Sequence, residues 1–187
     1  NIKYPITKKQ LKICKENMKR HDSMRGWFAY ELHQHMKKNK NIYLLTGDLG
    51  YGMLDQIKKD FNGSQFFNCG ASEQAMLGIA VGLALEGKIP FVYSISTFLL
   101  YRPFETIRNY INHEEIPVKL VGSGRSHEEP YDYEHDGFSH HAIEDKIIMD
   151  KVFTNIQTFW PYEKEQIPKM VETMINDPKP YYLNLKR

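Results

Sequence analysis

The sequence predicts an α/β fold: a doubly wound, mostly parallel sheet in three layers, with helices on both faces. Two observations carry that prediction. Short apolar runs recur from residue 42 onward, and stretches with helical spacing lie between most of them. The runs are continuous rather than alternating, as strands covered on both faces require. With 187 residues, 12 tyrosines and 10 phenylalanines, the chain can build one domain with a core of its own and needs no metal or disulfide staple.

Residues 1–23 set lysines around a stripe of Leu11, Cys14 and Met18. That pattern predicts an amphipathic helical extension on the surface of a domain spanning residues 24–187. A helix over 24–38 should stop at the polar Asn39-Lys40-Asn41. Strands are expected at 42–45, 65–68, 91–94, 118–121, 152–156 and 181–185. Helices are expected at 53–60, 72–86, 98–113, 142–149 and 163–175. In sheets of this kind ligands gather at the carboxyl ends of strands. Those ends fall at Asp48, Gly70, residues 94–98 and residues 122–141, where the unusual residues of the chain also fall.

The helix after residue 72 is the most informative element. Gly70 permits a tight turn, Ser72 is the expected N-cap, and Glu73 is the one acid at the mouth of an otherwise apolar, small-residue helix. Gly78 and Gly82 leave one face nearly bare, suited to close packing, and a helix apolar nearly all round belongs in a core or an interface. Glu73 either complements the helix dipole or serves a site.

Around Asp48, the segment Gly47-Asp48-Leu49-Gly50 lets a ligand approach the backbone, but no Gly-Lys-Ser/Thr follows to make a phosphate loop. Asp48 caps the next helix or meets that ligand. Phe98 and Tyr101 share a face if their helix starts near Ser96, suiting them to core packing or to stacking a flat heterocycle. Arg102 and Glu105 have the spacing of an i, i+3 pair.

Five of the eight histidines lie between His113 and His141, four of them in or just after a long acidic, aromatic loop. His127, His135, Asp136, His140 and His141 are all metal-ligand types, but no recognised ligand spacing appears, so no metal site is expected on this chain. Acid–base work or substrate hydrogen bonding is the better use of histidines at strand ends. A net charge of +2 is too small for a nucleic-acid surface. There is no apolar run of membrane-span length and no secretory signal, and two cysteines make no framework, so a reducing cytoplasm is expected.

Taken in order, several stretches resemble the pyrimidine-binding domain of the transketolase family of thiamine diphosphate enzymes. They are Asp48-Leu49-Gly50, Phe67-Asn68-Cys69-Gly70, Ser72-Glu73-Gln74-Ala75-Met76, Arg102-Pro103-Phe104-Glu105, Pro117-Val118-Lys119-Leu120-Val121-Gly122 and Asp136-Gly137-Phe138-Ser139-His140. Any one is weak; the ordered series is specific. The resemblance implies that Glu73 hydrogen-bonds the ring nitrogen of the cofactor's aminopyrimidine and so activates the cofactor. It implies that Phe98 stacks on that ring, that Tyr101 helps line its pocket, and that Asp48 and Leu49 contact it. Asp136 and His140 match residues that recognise the hydroxyls and carbonyl region of a sugar, and His140 is a catalytic candidate beside Glu73. Arg125 and His127 are further substrate-side candidates.

The sequence departs from the family at Ile95, where a Phe is usual, at Ser139-His140-His141 in place of Thr-His-Gln, and at Gly124, where a His is expected. Elsewhere in the family a Gly-Asp-Gly motif and an Asn hold the diphosphate through a divalent cation, and here only Gly47-Asp48-Leu49 stands. The resemblance therefore implies one subunit of a split enzyme that binds the pyrimidine end only, without the family's third domain. A partner subunit would hold the diphosphate with Mg2+ or Ca2+ in an α2β2 assembly. Its activity would be transfer of a two-carbon ketol unit between sugars or sugar phosphates. The alternatives are a β subunit of a 2-oxoacid dehydrogenase, an enzyme like 1-deoxy-xylulose-phosphate synthase, and a non-catalytic partner with a degenerate pocket.

Overall fold

A computed structural model of the chain describes residues 22–50, 52–124, 138–140 and 144–185. The proposed extension over residues 1–23 lies almost wholly outside them, as do Arg125, His127, Asp136 and the rest of the acidic loop.

Among the described residues six strands, all parallel, form one sheet: β1 (Ile42–Thr46), β2 (Phe66–Asn68), β3 (Ile89–Ile95), β4 (Lys119–Ser123), β5 (Gln157–Phe159) and β6 (Tyr181–Leu185), in the order β2-β1-β3-β4-β6-β5. Helices α1 (Met24–Lys38), α2 (Asp55–Phe61) and α7 (Ile167–Asn176) contribute to the core on one face. The other face is covered by α3 (Glu73–Leu85), α4 (Ser96–Tyr101), the short α5 (Phe104–Thr106) with its π-helical continuation Ile107–His113, and α6 (Asp145–Lys151). Strand residues alternate between the two cores. Leu44, Phe91, Val121 and Leu183 point to the first, and Leu45, Val92, Leu120 and Tyr182 to the second. That is the period of two applied to strands buried on both sides, and it explains their continuous apolar spelling.

From β1 the chain goes outward to β2, then returns across β1 to β3 on its other side. The order reverses between β1 and β3, and their carboxyl ends open a crevice at that switch point. The Asp48 turn, the start of α3 and the end of β3 all reach this crevice.

Three expectations need correction. The strand over 152–156 is a turn instead: Phe153 and Ile156 are buried under the end of α6, Val152 is 43% exposed, and pairing with β6 starts only at Gln157. The apolar run packs at a spacing of three, which fits a turn and not a pleat. The helix over 98–113 begins at Ser96 and breaks at Arg102-Pro103, because Pro103 has no N–H to continue it. Ser72 holds the N-cap position of α3 but makes no side-chain cap bond. Gly70 does take the positive φ, 66°, that the turn into α3 requires. Among the described residues no helix is long and apolar enough to cross a membrane.

Candidate active site

The turn at Gly70 delivers the first residue of α3 into the crevice. Glu73 is 2% exposed. A Cβ built on Gly47, just after β1, would sit 3.3 Å from its Oε1, so the carboxylate is packed against bare backbone. Ser94 Oγ, near the end of β3, donates to Oε1 at 3.4 Å. The main partner is Arg102, whose Nη1 donates to Oε1 at 2.8 Å and to Oε2 at 2.7 Å. This replaces the expected Arg102–Glu105 pair. The break at Pro103 takes the two residues off a common helical face and leaves the guanidinium free to turn inward.

Arg102 Cζ also lies 3.8 Å from the centroid of the Phe98 ring, a cation–π contact. On its edge Phe98 meets His140, with ring centroids 5.0 Å apart and planes at 69°. The short 3-10 turn Phe138–His140 is pinned there by Thr97 Oγ1, which donates to the Ser139 carbonyl at 2.9 Å. Ser139 Oγ pairs with His140 Nδ1 at 2.8 Å, leaving Nε2 as the nitrogen for another partner. Residues 73, 94, 98, 102 and 140 thus form one continuous chain of contacts.

Asp48 does not cap α2. It sits at φ 59°, its N–H donates to Asn68 Oδ1 at 2.9 Å, and Asn68 Nδ2 returns a bond to its carboxylate. Asn68 Oδ1 also accepts from Gly70 N at 3.0 Å, so one amide side chain ties the ends of β1 and β2 beside the crevice. Tyr101 is 37% exposed; burial first, and the nearby Glu144 carboxylate second, keep its hydroxyl protonated well above the ordinary tyrosine range.

A cavity of about 210 Å3 continues from the crevice, lined among others by Arg25, Leu49, Ile95, Ser123, Gly124 and His140. Arg25, on α1, gives it a cation that sequence reasoning did not single out. Position 95, Ile here, lines the same cavity, and Gly124 at φ 153° closes its far wall.

Beneath α4 lies a second buried polar group. Asp145 is fully buried and accepts from Tyr182 OH at 3.0 Å and from Asn184 Nδ2, while Tyr182 OH lies 3.1 Å from Ser96 Oγ. Burial pushes the Asp145 carboxyl up to about 7, against the hydrogen bonds from Tyr182, the Lys146 backbone and Asn184, which pull it down. A Cβ on Gly122 would meet Ser96 Oγ at 2.4 Å and Tyr182 OH at 2.7 Å, so β4 must be bare there. This cluster supports the first residue of the helix that carries Phe98. Among the described residues no three His, Cys, Asp or Glu side chains converge as a metal site.

Fold and site together define a doubly wound domain that presents a buried carboxylate and an aromatic ring at its switch point. Residues 22–187 match the family model described as "Transketolase, pyrimidine binding domain", and the chain belongs to that family. It is 32% identical over 165 residues to a putative transketolase C-terminal section of Methanocaldococcus jannaschii, covering 88% of this chain and 50% of that protein. It is 28% identical over 152 residues to a subunit of the apulose-4-phosphate transketolase of Phocaeicola vulgatus, covering 81% and 47%. A solved split-gene transketolase, an inactive β4 tetramer, superposes with a TM-score of 0.74 at 30% identity, over 88% of this chain and 51% of that one. The chain spans about half the length of these relatives.

Proposed function

We propose that this chain forms the pyrimidine-side half of a thiamine diphosphate-dependent transketolase site that moves a two-carbon ketol unit between sugars or sugar phosphates. The observation that carries the reading is Glu73: a carboxylate 2% exposed, at the switch point, with the Phe98 ring reached through a single shared contact. The donor set fits an aminopyrimidine, which needs an in-plane partner for its ring nitrogen and a flat surface for its face.

Glu73 binds the ring nitrogen, Phe98 holds the plane, and the Asp48–Asn68 pair shapes the wall beside them. When bound, thiamine diphosphate supplies a carbon nucleophile for the ketose carbonyl. His140, through Nε2, hydrogen-bonds the substrate's hydroxyl or carbonyl oxygen and holds or moves a proton there. Arg25 gives the cavity a fixed cation, which suits a phosphorylated sugar. Asp136, Arg125 and His127 join this reading as further substrate contacts, with residues 1–23 as an extension outside the domain.

The diphosphate and its Mg2+ or Ca2+ are assigned in this reading to a partner chain; residues 1–187 carry no Gly-Asp-Gly. The Phocaeicola relative is named as one subunit of its transketolase, which supports a divided enzyme. On α3, Ile79 is 49% and Leu85 70% exposed, and a Cβ on Gly78 or Gly82 would meet nothing within 4 Å. That bare apolar face suits a symmetry mate in an α2β2 assembly. The test is reconstitution with the diphosphate-binding subunit, thiamine diphosphate and Mg2+, followed by ketol transfer over a panel of sugar phosphates. Turnover is expected with the pair only and should vanish in Glu73→Ala. Full-affinity cofactor binding by this chain alone would refute the divided site.

A further inference from the structure

Arg102 already makes the two contacts that the proposed reading assigns to an aminopyrimidine. Its Nη1 reaches both oxygens of Glu73 at 2.8 and 2.7 Å, and its Cζ lies 3.8 Å over the Phe98 ring. A guanidinium is planar, carries its N–H donors in the plane, and stacks readily on an aromatic face. An aminopyrimidine is likewise planar and stacks through its face, and its ring nitrogen, once protonated, offers the carboxylate an in-plane N–H as the guanidinium does. The carboxylate and the ring therefore offer one binding geometry to two chemically similar guests, one of them part of the chain.

The two sides of the pair differ in freedom. Glu73 is 2% exposed and packed against Gly47, while the Arg102 side chain is 45% exposed and stands at the end of α4, next to the break at Pro103. Glu73 has nowhere to go; Arg102 can swing into solvent. Without Arg102, Glu73 keeps, among the described residues, only the long bond from Ser94, 3.4 Å, and a buried carboxylate with so little support is costly. The arginine is thus best released as another hydrogen-bonding ring arrives.

We propose that Arg102 is an internal stand-in for the aminopyrimidine: it keeps Glu73 and Phe98 aligned and is displaced by the heterocycle that takes over both contacts. Arg102 is then a positioning residue that competes with the ligand, and it sets the affinity threshold of the pyrimidine site. The proposal rests on the reading of Glu73 and Phe98 as pyrimidine contacts.

The probe is 4-amino-5-hydroxymethyl-2-methylpyrimidine, the ring half of the cofactor, which needs no diphosphate site. Its dissociation constant is measured on the full chain, alone and with the diphosphate-binding subunit, for the native protein and for Arg102→Met, Arg102→Lys and Glu73→Gln. Arg102→Met is expected to bind it about tenfold tighter, equivalent to about 1.4 kcal/mol, with Arg102→Lys in between and Glu73→Gln weaker than native. In the native chain, the Arg102 guanidinium N–H resonances should lose their protection from exchange as the probe saturates. Weaker binding in Arg102→Met together with Glu73→Gln would show that the arginine holds the ring rather than yields to it, overturning the proposal while sparing the reading of Glu73. Native-like binding in Glu73→Gln would sink both. Should Arg102→Met not fold, the native resonances decide, since protection that survives saturation overturns the displacement.

Discussion

Two buried carboxylates on the same side of the sheet meet opposite treatment. Glu73 faces a cation that reaches in from solvent, whereas Asp145, among the described residues, accepts from the neutral donors Tyr182 and Asn184 and from a backbone N–H. Glu73 is charge-paired with a partner that can leave. Asp145 is fully enclosed, with a carboxyl pushed up to about 7 by burial. Burial alone therefore does not mark a functional acid. What separates the two is the partner: Arg102 stands 45% exposed, whereas Tyr182 and Asn184 are buried.

The sharpest break of that contrast is Glu73→Gln, which keeps the shape and removes the charge. In the reconstituted enzyme it is expected to cost turnover about 10²–10⁴-fold, the range of a lost general acid–base contribution. A loss of less than tenfold would put Glu73 in the same structural class as Asp145.

Next in size is the pH dependence of stability, which belongs to Asp145. Its folded carboxyl titrates near 7, above the ordinary value of 3.8, so between those values the folded state holds a proton that the unfolded state has released. Stability from this group is therefore fullest below about pH 4, falls as pH rises toward 7, and is level above it, with a slope of at most about 1.4 kcal/mol per pH unit. Asp145→Asn should flatten that decline in urea titrations at pH 5 and 7.5. An unchanged slope in the variant would assign the titration elsewhere.

Smaller still is Gly122→Ala, which forces a methyl group between Ser96 and Tyr182 and should destabilise by about 1–3 kcal/mol. Because Ser96 starts α4, the same change should weaken pyrimidine binding through Phe98, and native affinity in this variant would uncouple the cluster from the site. Asn68→Ala has the least expected effect. It removes the acceptor for the Asp48 and Gly70 N–H groups and should cost about 1 kcal/mol, read from the urea midpoint.

Reading the sequence reaches as far as local pattern carries. Continuous apolar runs betray a two-sided sheet, and five of the six strands are legible in them. The run at 152–156 misleads because Phe153 and Ile156 are buried as turn residues, which spelling alone cannot tell from a strand. The unusual residues at strand ends include Glu73, Phe98 and His140, which the fold brings into one chain of contacts through Arg102. The pair that joins Glu73 to Arg102 spans 29 residues, so i, i+3 spacing offers Glu105 instead. Arg25 escapes notice for a similar reason: it comes from the other face's first helix, and only the folded chain brings it to the cavity. Asp145 gives no signal, since an acid at the start of a helix normally faces water. Arg125, His127 and Asp136 lie outside the described residues.

The sheet has one further property that bears on how this chain meets others. Its two outer strands, β2 and β5, are only three residues each, while the interior strands run to five or seven. Edges that short offer few free backbone donors and acceptors to a foreign strand. Growth of the sheet from molecule to molecule, the usual route to fibres, is thereby starved of a template. The outer face of α3, with Ile79 49% and Leu85 70% exposed, offers side chains rather than free backbone to a neighbour.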